Sequence, residues 1–141
     1  DCPRVERVVA HTHPGERMEV EDAATAVFRL EGGTVLSIDV TWSLVAQRDR
    51  NYLHILGTQG SASTSPLAVY KESEHGLLDV TPQIAPGREN LYTGAYRQVL
   101  GRFIGAAGGE CPVAPPREQI ELMRLIELAY RSAREGRELE A

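Results

Sequence analysis

Apolar and polar residues alternate along the first two thirds of the chain. Every second residue is apolar from 24 to 30 and again from 36 to 42, which is the period expected of half-buried β-strands. Glu31-Gly32-Gly33 lies between these segments and supplies residues that accept the positive φ of a tight hairpin turn. The same pattern predicts further strands at residues 5–10, 52–56, 61–64, 67–71 and 77–81. Because most connections are of hairpin length, we expect antiparallel pairing.

The last third of the chain changes to a helical period. Apolar residues recur at steps of three and four in the segments 91–107 and 116–135, the pattern of amphipathic helices. Gly108-Gly109 and Gly136 follow them, where glycine commonly ends a helix. Leu139 is expected to pack back or to begin a last short strand. Strands followed by helices predict an α+β fold: one domain over residues 1–141, with an open-faced, mainly antiparallel β-sheet and helices packed on one face.

Composition and charge narrow the class of protein. The chain has 141 residues, of which 42% are hydrophobic and 25% are charged, as in a globular domain rather than a disordered tail. No apolar run approaches the roughly 18 residues that cross a bilayer. The net charge of −5 argues against a partner with a phosphate backbone. We therefore expect no membrane-spanning role and no nucleic-acid partner.

Two cysteines, Cys2 and Cys111, lie near opposite ends of the chain, without the C-x-x-C spacing of a zinc site. We interpret them as reduced thiols of a cytoplasmic protein, although their spacing leaves a disulfide between them open. Lys71 is the single lysine, so any lysine-dependent chemistry in this chain must use it.

Histidines and paired carboxylates are the first candidates for chemistry. His11 and His13 place two imidazoles on the same side of an extended chain, a spacing that can bind a metal ion. They stand in a segment rich in Pro, Gly and Glu with no evident further ligand, so we predict a solvated loop and no metal site. Glu21 and Asp22 are adjacent, and in a strand they point to opposite faces and cannot share one site. One of them is expected to cap a turn.

The sequence contains no nucleotide-binding fingerprint and no complete catalytic motif. There is no G-x-G-x-x-G between a strand and a helix, no phosphate-binding Gly-Lys-Ser/Thr loop and no nucleophile elbow. The segment 47–50, Gln-Arg-Asp-Arg, instead concentrates planar donors between two predicted strands. Its arginines can clamp a carboxylate or phosphate through paired hydrogen bonds; the alternative is a solvated loop of surface charges.

Five segments carry a family resemblance: residues 20–33, 40–43, 55–61, 96–106 and 130–136. In this order and spacing they resemble the C-terminal domain of the Gfo/Idh/MocA oxidoreductases, the group of glucose-fructose oxidoreductase and inositol dehydrogenase. The resemblance covers nearly all of the chain from Val5 onward. It implies an open-faced, largely antiparallel sheet with helices on one side. Its other face is expected to pack against a second copy, forming a homo-oligomer.

The resemblance also implies an activity. Full-length members hold NAD or NADP in an N-terminal Rossmann domain and oxidise or reduce a sugar, polyol or related carbonyl compound. A lysine in a Glu-Lys-Pro motif serves as acid/base or polariser, and an aspartate and a histidine on the first helix of the C-terminal domain orient the substrate. Here Glu-Lys-Pro is missing and Lys71 stands in a strand-like segment, so no catalytic residue is transferred. We expect the Rossmann domain and that first helix to be absent, and this fragment alone to bind no cofactor and to be inactive.

One part of the family's substrate site can be carried over, the loop after Trp42, where relatives place substrate-contacting side chains. The predicted substrate-binding residues are Gln47, Arg48, Arg50 and Tyr52. We interpret the chain as the substrate-side and subunit-contact domain of an NAD(P)-dependent oxidoreductase acting on a small sugar- or polyol-type molecule. One alternative is a non-enzymatic ligand-binding or scaffold domain with the same fold. The least favoured is a single-domain metal enzyme that uses His11 and His13.

Overall fold

Antiparallel strands and two helices make up the computed structural model, which describes residues 3–15, 20–47, 49–83, 91–110 and 117–141. The strands are β1 (Val5–Pro14), β2 (Glu21–Leu30), β3 (Val35–Thr41), β4 (His54–Gly57), β5 (Gly60–Thr64), β6 (Leu67–Ser73), β7 (Gly76–Asp79) and β8 (Leu139–Glu140), and the helices are α1 (Leu91–Ala107) and α2 (Arg117–Glu135). The chain divides into two compact units, Asp1–Ala46 with Ala114–Ala141, and Gln47–Val113. Cys2 and Cys111 lie outside the described residues.

The first unit has an antiparallel sheet in the order β3-β2-β1-β8, with α2 packed against β1. Val8 lies opposite Phe28 on one side and Leu139 on the other, and these side chains are 0%, 7% and 5% exposed. Three residues of α2 pack against them: Leu125, Leu128 and Ala129. Leu139 therefore both begins a short last strand and packs back into the core, as the sequence predicts.

A fully buried serine supplies a hydrogen-bond partner to β1 beyond the end of the short strand β8. Ser132 of α2 accepts a hydrogen bond from the Ala10 amide of β1 at 3.1 Å and donates one to the Arg137 carbonyl oxygen at 2.7 Å. Because an unpaired buried amide or carbonyl costs free energy, this hydroxyl replaces the strand partner that β1 lacks at Ala10.

The hairpin between β2 and β3 forms where the sequence predicts it. Gly32 and Gly33 adopt φ values of 82° and 83°, the left-handed region that favours glycine. The Leu30 amide donates to the Thr34 carbonyl oxygen at 2.8 Å and closes the turn.

The second unit has an antiparallel sheet in the order β4-β5-β6-β7, followed by α1. Gly60 is required at the β4–β5 hairpin, because a Cβ there would overlap the Tyr70 carbonyl oxygen and lie 3.1 Å from the Lys71 Cα. Helix α1 ends at Gly108-Gly109, and Gly109 has a φ of 77°. The apolar stripe of α1 is exposed, with Phe103 at 69%.

The predicted fold class, α+β with open, antiparallel sheets and two helices, is confirmed. The strands form two four-stranded sheets instead of the single one expected. The predicted loop at His11 and His13 is wrong, because β1 continues to Pro14. The reason is that pairing with β2 extends through His13, opposite Ala23, and this long-range ladder outweighs the local turn-forming composition.

Candidate functional site

The predicted substrate loop connects β3 to β4, and its described side chains are exposed. Neither Gln47 nor Arg50 forms a hydrogen bond or ion pair with another described residue, and Arg48 lies outside the described residues. Tyr52 is 66% exposed, and its ring meets the edge of the His54 ring at a centroid distance of 5.8 Å and an angle of 79°. The loop thus presents an amide, a guanidinium and a phenol to solvent.

The end of this loop is fixed to the second sheet. The Leu53 amide donates to Thr64 Oγ1 at 3.0 Å, and the Thr64 amide donates to the Leu53 carbonyl oxygen at 3.1 Å. These bonds continue the β4–β5 pairing one residue beyond His54, and the contact with His54 orients the neighbouring Tyr52 ring. Within the predicted set, Tyr52 is therefore held in place more firmly than Arg50.

A second group of polar residues lies where β2 begins, in the first unit. The Tyr130 hydroxyl of α2 donates a hydrogen bond to Glu21 Oε1. This bond lowers the pKa of the Glu21 carboxyl and raises the pKa of the Tyr130 phenol, because it favours the ionised acid and the protonated phenol. Glu21 therefore ties β2 to α2 instead of capping a turn. Sequence reasoning missed the pair because its partners are 109 positions apart.

Asp22 stands beside this pair but does not join it. Its Oδ1 is buried and has no hydrogen-bond partner among the described residues, while its carbonyl oxygen accepts from the Trp42 amide at 2.7 Å. Next to Trp42, the hydroxyls of Thr41 and Ser43 lie 3.0 Å apart. The start of β2 and the end of β3 thus bring carboxylate and hydroxyl groups to one end of the first sheet, beside the 87%-exposed Trp42.

The surface of the first sheet opposite α2 is here named the open face. Because side chains alternate along a strand and Val8 and Phe28 point to α2, their neighbours in sequence point away from it. The open face carries Arg7, Val9, His11, His13, Thr25, Val27, Arg29, Val35, Ser37 and Asp39. Arg7 pairs with Glu138 at 2.9 Å and Glu140 at 3.4 Å. Val35 is 61% exposed, so the face mixes ion pairs with uncovered apolar area.

Other kinds of site find little support among the described residues. No group of three or more His, Cys, Asp and Glu side chains that could hold a metal ion occurs among the described residues. A shallow concavity on α1 is lined by residues of that helix alone, so it encloses no ligand: Thr93, Tyr96, Arg97, Leu100, Gly101 and Ile104. Neither described helix has the length and apolarity needed to cross a membrane.

All strand pairs among the described residues are antiparallel, so these residues contain no parallel βαβ unit of the kind that holds a dinucleotide. The fold is therefore that of an α+β domain built on open antiparallel sheets. The chain belongs to the oxidoreductase family C-terminal alpha/beta domain, that of the Gfo/Idh/MocA proteins, whose family model matches residues 1–140. The resemblance inferred from the sequence is thereby confirmed.

Solved structures share this fold. An oxidoreductase domain protein from Kribbella flavida matches with a TM-score of 0.71 and 18% identity, over 98% of this chain and 44% of its own. An oxidoreductase from Agrobacterium radiobacter, in complex with NAD+, L-tartaric acid and magnesium, matches with a TM-score of 0.68 and 20% identity, over 96% of this chain and 43% of its own. The WlbA dehydrogenase from Bordetella pertussis, in complex with NADH and UDP-GlcNAcA, matches with a TM-score of 0.63 and 25% identity, over 97% of this chain and 40% of its own.

This chain therefore spans less than half the length of each of these three proteins. No curated protein sequence matches it.

Proposed function

We propose that this chain is the substrate-side and subunit-contact domain of an NAD(P)-dependent oxidoreductase that acts on a sugar, polyol or related carbonyl compound in the cytoplasm. The observation that carries the proposal is the family match over residues 1–140. Two similar structures, which contain NAD+ with L-tartaric acid and NADH with UDP-GlcNAcA, support the cofactor and the polar substrate class. The cofactor, NAD or NADP, supplies or accepts the hydride and is held outside this chain.

Within this domain, the loop after β3 supplies the substrate contacts. Arg50 has a guanidinium free of ion pairs among the described residues, and arginine binds carboxylates and phosphates through two parallel hydrogen bonds. Gln47 and Arg48 add donors, and Tyr52 offers a hydroxyl and a ring face whose orientation is fixed by His54. Their role is to bind and orient, since no acid/base residue of the family's motif is carried by this chain.

The open face is proposed to pack against a second copy of the chain. Val27 and Val35 lie on it away from the core, with Val35 61% exposed. Uncovered apolar area bordered by ion pairs is typical of protein contact surfaces. A Val35→Lys variant is therefore expected to sediment as a smaller species than the unmodified protein at equal concentration. A strictly monomeric unmodified protein would contradict this contact.

The proposal is tested with the polypeptide encoded by the complete reading frame that contains these residues. We expect NAD(P)-linked turnover of a member of the proposed class, found by screening sugars, polyols and hydroxy acids at 340 nm. Arg50→Gln is expected to raise KM, because one ligand contact is lost while the cofactor side stays intact. Arg124→Gln, which removes an exposed guanidinium from α2, is the matched control and should leave KM unchanged.

A reading frame that contains no Rossmann domain, together with ligand binding but no turnover, would replace this proposal with the non-enzymatic ligand-binding or scaffold domain.

A further inference from the structure

The loop after β3 runs into β4 as an extended segment. Over the last five residues before β4 the backbone makes neither a turn nor a bend, and the hydrogen bonds between Leu53 and Thr64 extend the β4–β5 pairing into it. Side chains alternate along an extended chain, so residues two apart point to the same side. The Tyr52 and His54 rings are in contact, as this alternation requires. Arg50, Tyr52 and His54 therefore share one side of the segment.

This side of the segment continues as one face of the second sheet, here named the polar face. In the strands nearest the loop the polar face carries His54, Leu56, Ser61, Ser63 and Tyr70. The opposite face is apolar, and one row across it consists of Ile55, Ala62 and Val69. A ligand that extends from the loop onto the polar face therefore meets the His54 imidazole first.

The charges on this side favour a negatively charged group at Arg50. Its guanidinium forms no ion pair with another described residue, and alternation places the neighbouring Asp49 carboxylate on the opposite side of the segment. The carboxylates of the polar face, Glu72 and Asp79, belong to β6 and β7, at least two strands or about 10 Å from β4. A guanidinium in these surroundings is matched by a carboxylate or phosphate, which accepts two parallel hydrogen bonds from it.

His54 and Tyr52 supply uncharged hydrogen-bonding groups beside this cation. The His54 ring is exposed and forms no hydrogen bond with another described residue. A neutral imidazole has one donor and one acceptor nitrogen, which is the combination that a hydroxyl group needs. Tyr52 is 66% exposed and adds a hydroxyl and a ring. The three side chains thus offer a site for a molecule that carries both an anionic group and hydroxyl groups.

We propose that Arg50, Tyr52 and His54 form one binding surface for an anionic sugar. Arg50 holds the carboxylate or phosphate of the substrate, and Tyr52 and His54 contact its hydroxyl groups. His54 is thereby a further substrate-binding residue, outside the set predicted from the sequence. The inference rests on the proposed function, because it requires that the loop after β3 contacts the substrate, and it narrows that substrate to a negatively charged one.

The test compares three sugars that differ only at C6: D-glucose, D-glucuronate and D-glucose 6-phosphate. Their dissociation constants for the product of the complete reading frame are measured by ligand-observed NMR titration, without nucleotide, so that no sugar is converted. We expect at least one of the two anions to bind at least tenfold more tightly than D-glucose. The comparison of D-glucuronate with D-glucose 6-phosphate shows which oxyanion is preferred, and it needs no variant to fold.

Three variants separate the parts of the surface. Arg50→Gln should weaken binding of the preferred anion by roughly ten- to hundredfold and leave D-glucose unchanged, because only the charged contact is lost. His54→Phe keeps an aromatic ring beside Tyr52 but removes both ring nitrogens, so it should weaken all three sugars by a similar factor of roughly three to ten. Arg124→Gln on α2 is the matched control and should change none of the three.

Equal affinity for D-glucose and both anions, an anion preference that survives Arg50→Gln, or unchanged affinities in His54→Phe would each overturn the proposal. A failure of the proposed function has a different signature, the absence of NAD(P)-linked turnover for every compound screened. The two failures are distinguishable because the titrations measure anion preference without nucleotide and without turnover.

Discussion

Both units pair four antiparallel strands and contain one helix, yet their apolar residues lie in different surroundings. In the first unit Val8, Phe28 and Leu139 are buried between the sheet and α2. Among the described residues of the second unit none is buried, and Leu56 is 85% exposed. Neighbouring strands satisfy each other's backbone hydrogen bonds, whereas burial needs a second layer of structure. Regular strands therefore do not by themselves provide a core.

The difference indicates where each unit obtains its stability. The first unit buries apolar area within its own residues, so side-chain truncation there should be costly. The second unit leaves large apolar side chains uncovered, which is typical of surfaces that contact other parts of a protein. We therefore expect the second unit to respond to backbone changes more than to side-chain truncation.

The largest expected effect comes from the paired variants Phe28→Ala and Phe103→Ala. Phe28 is 7% exposed, and its truncation should lower the free energy of unfolding by about 3–5 kcal/mol, because it leaves a cavity against Val8 and α2. Phe103 is 69% exposed, and its truncation should change that free energy by no more than about 0.5 kcal/mol. Urea unfolding followed by circular dichroism measures both. Equal losses of unfolding free energy in the two variants would contradict the proposed difference in side-chain burial between the units.

A glycine pair sharpens the comparison within the second unit. Gly60→Ala should destabilise the chain by about 1–3 kcal/mol, because the added methyl group overlaps the Tyr70 carbonyl oxygen of β6. Gly101→Ala lies within α1, where a Cβ meets no atom within 4 Å, and should stabilise it by about 0.5–1 kcal/mol. Thermal unfolding of the two variants and of the unmodified chain shows whether each substitution raises or lowers the stability. A stabilising Gly60→Ala would show that the β4–β5 hairpin is not packed as described.

The smallest expected effect concerns the contact between β2 and α2. The pKa of Glu21 is lowered below its ordinary 4.5, so the Tyr130 bond stabilises the fold above about pH 4.5 and is lost as the pH falls through the folded value. The pKa of Tyr130 is raised above its ordinary 10.0, so the bond is lost again as the pH rises through that folded value. Tyr130→Phe should therefore unfold at lower urea than the unmodified chain at pH 7, with the difference shrinking at both extremes.

Tyr96→Phe removes an exposed hydroxyl from α1 and is the control, with no expected pH-dependent difference. A Tyr130→Phe difference that stays constant from pH 3 to neutrality would show that the Glu21 bond does not contribute.

Local sequence patterns were sufficient for most of the fold. Alternation at residues 24–30 and 36–42 predicts β2 and β3, and the two glycines of the turn predict their hairpin. The helical period, together with the glycines that follow each segment, predicts the observed bounds of α1 and those of α2 to within one residue. These elements depend on residues close in sequence, so one amino-acid sequence is enough to predict them.

Long-range pairing decides what local patterns cannot predict. The extension of β1 through His13 depends on β2, and the contacts of Ser132 with Ala10 and of Tyr130 with Glu21 join residues more than 100 positions apart. The division into two sheets was likewise not predictable from period. For the candidate site, the sequence supplies residue types, and the structure adds the hydrogen bonds that fix Leu53 to Thr64 and the contact of the Tyr52 ring with His54.

Under the proposed function, this chain forms one side of an oxidoreductase whose nucleotide site lies elsewhere in the polypeptide. The most direct measurement is NADH and NADPH binding, by fluorescence titration, to the isolated 141 residues and to the product of the complete reading frame. We predict saturable binding of one of the two nucleotides by the complete product and none by the isolated chain. Saturable binding by the isolated chain, with NAD(P)-linked turnover, would contradict the claim.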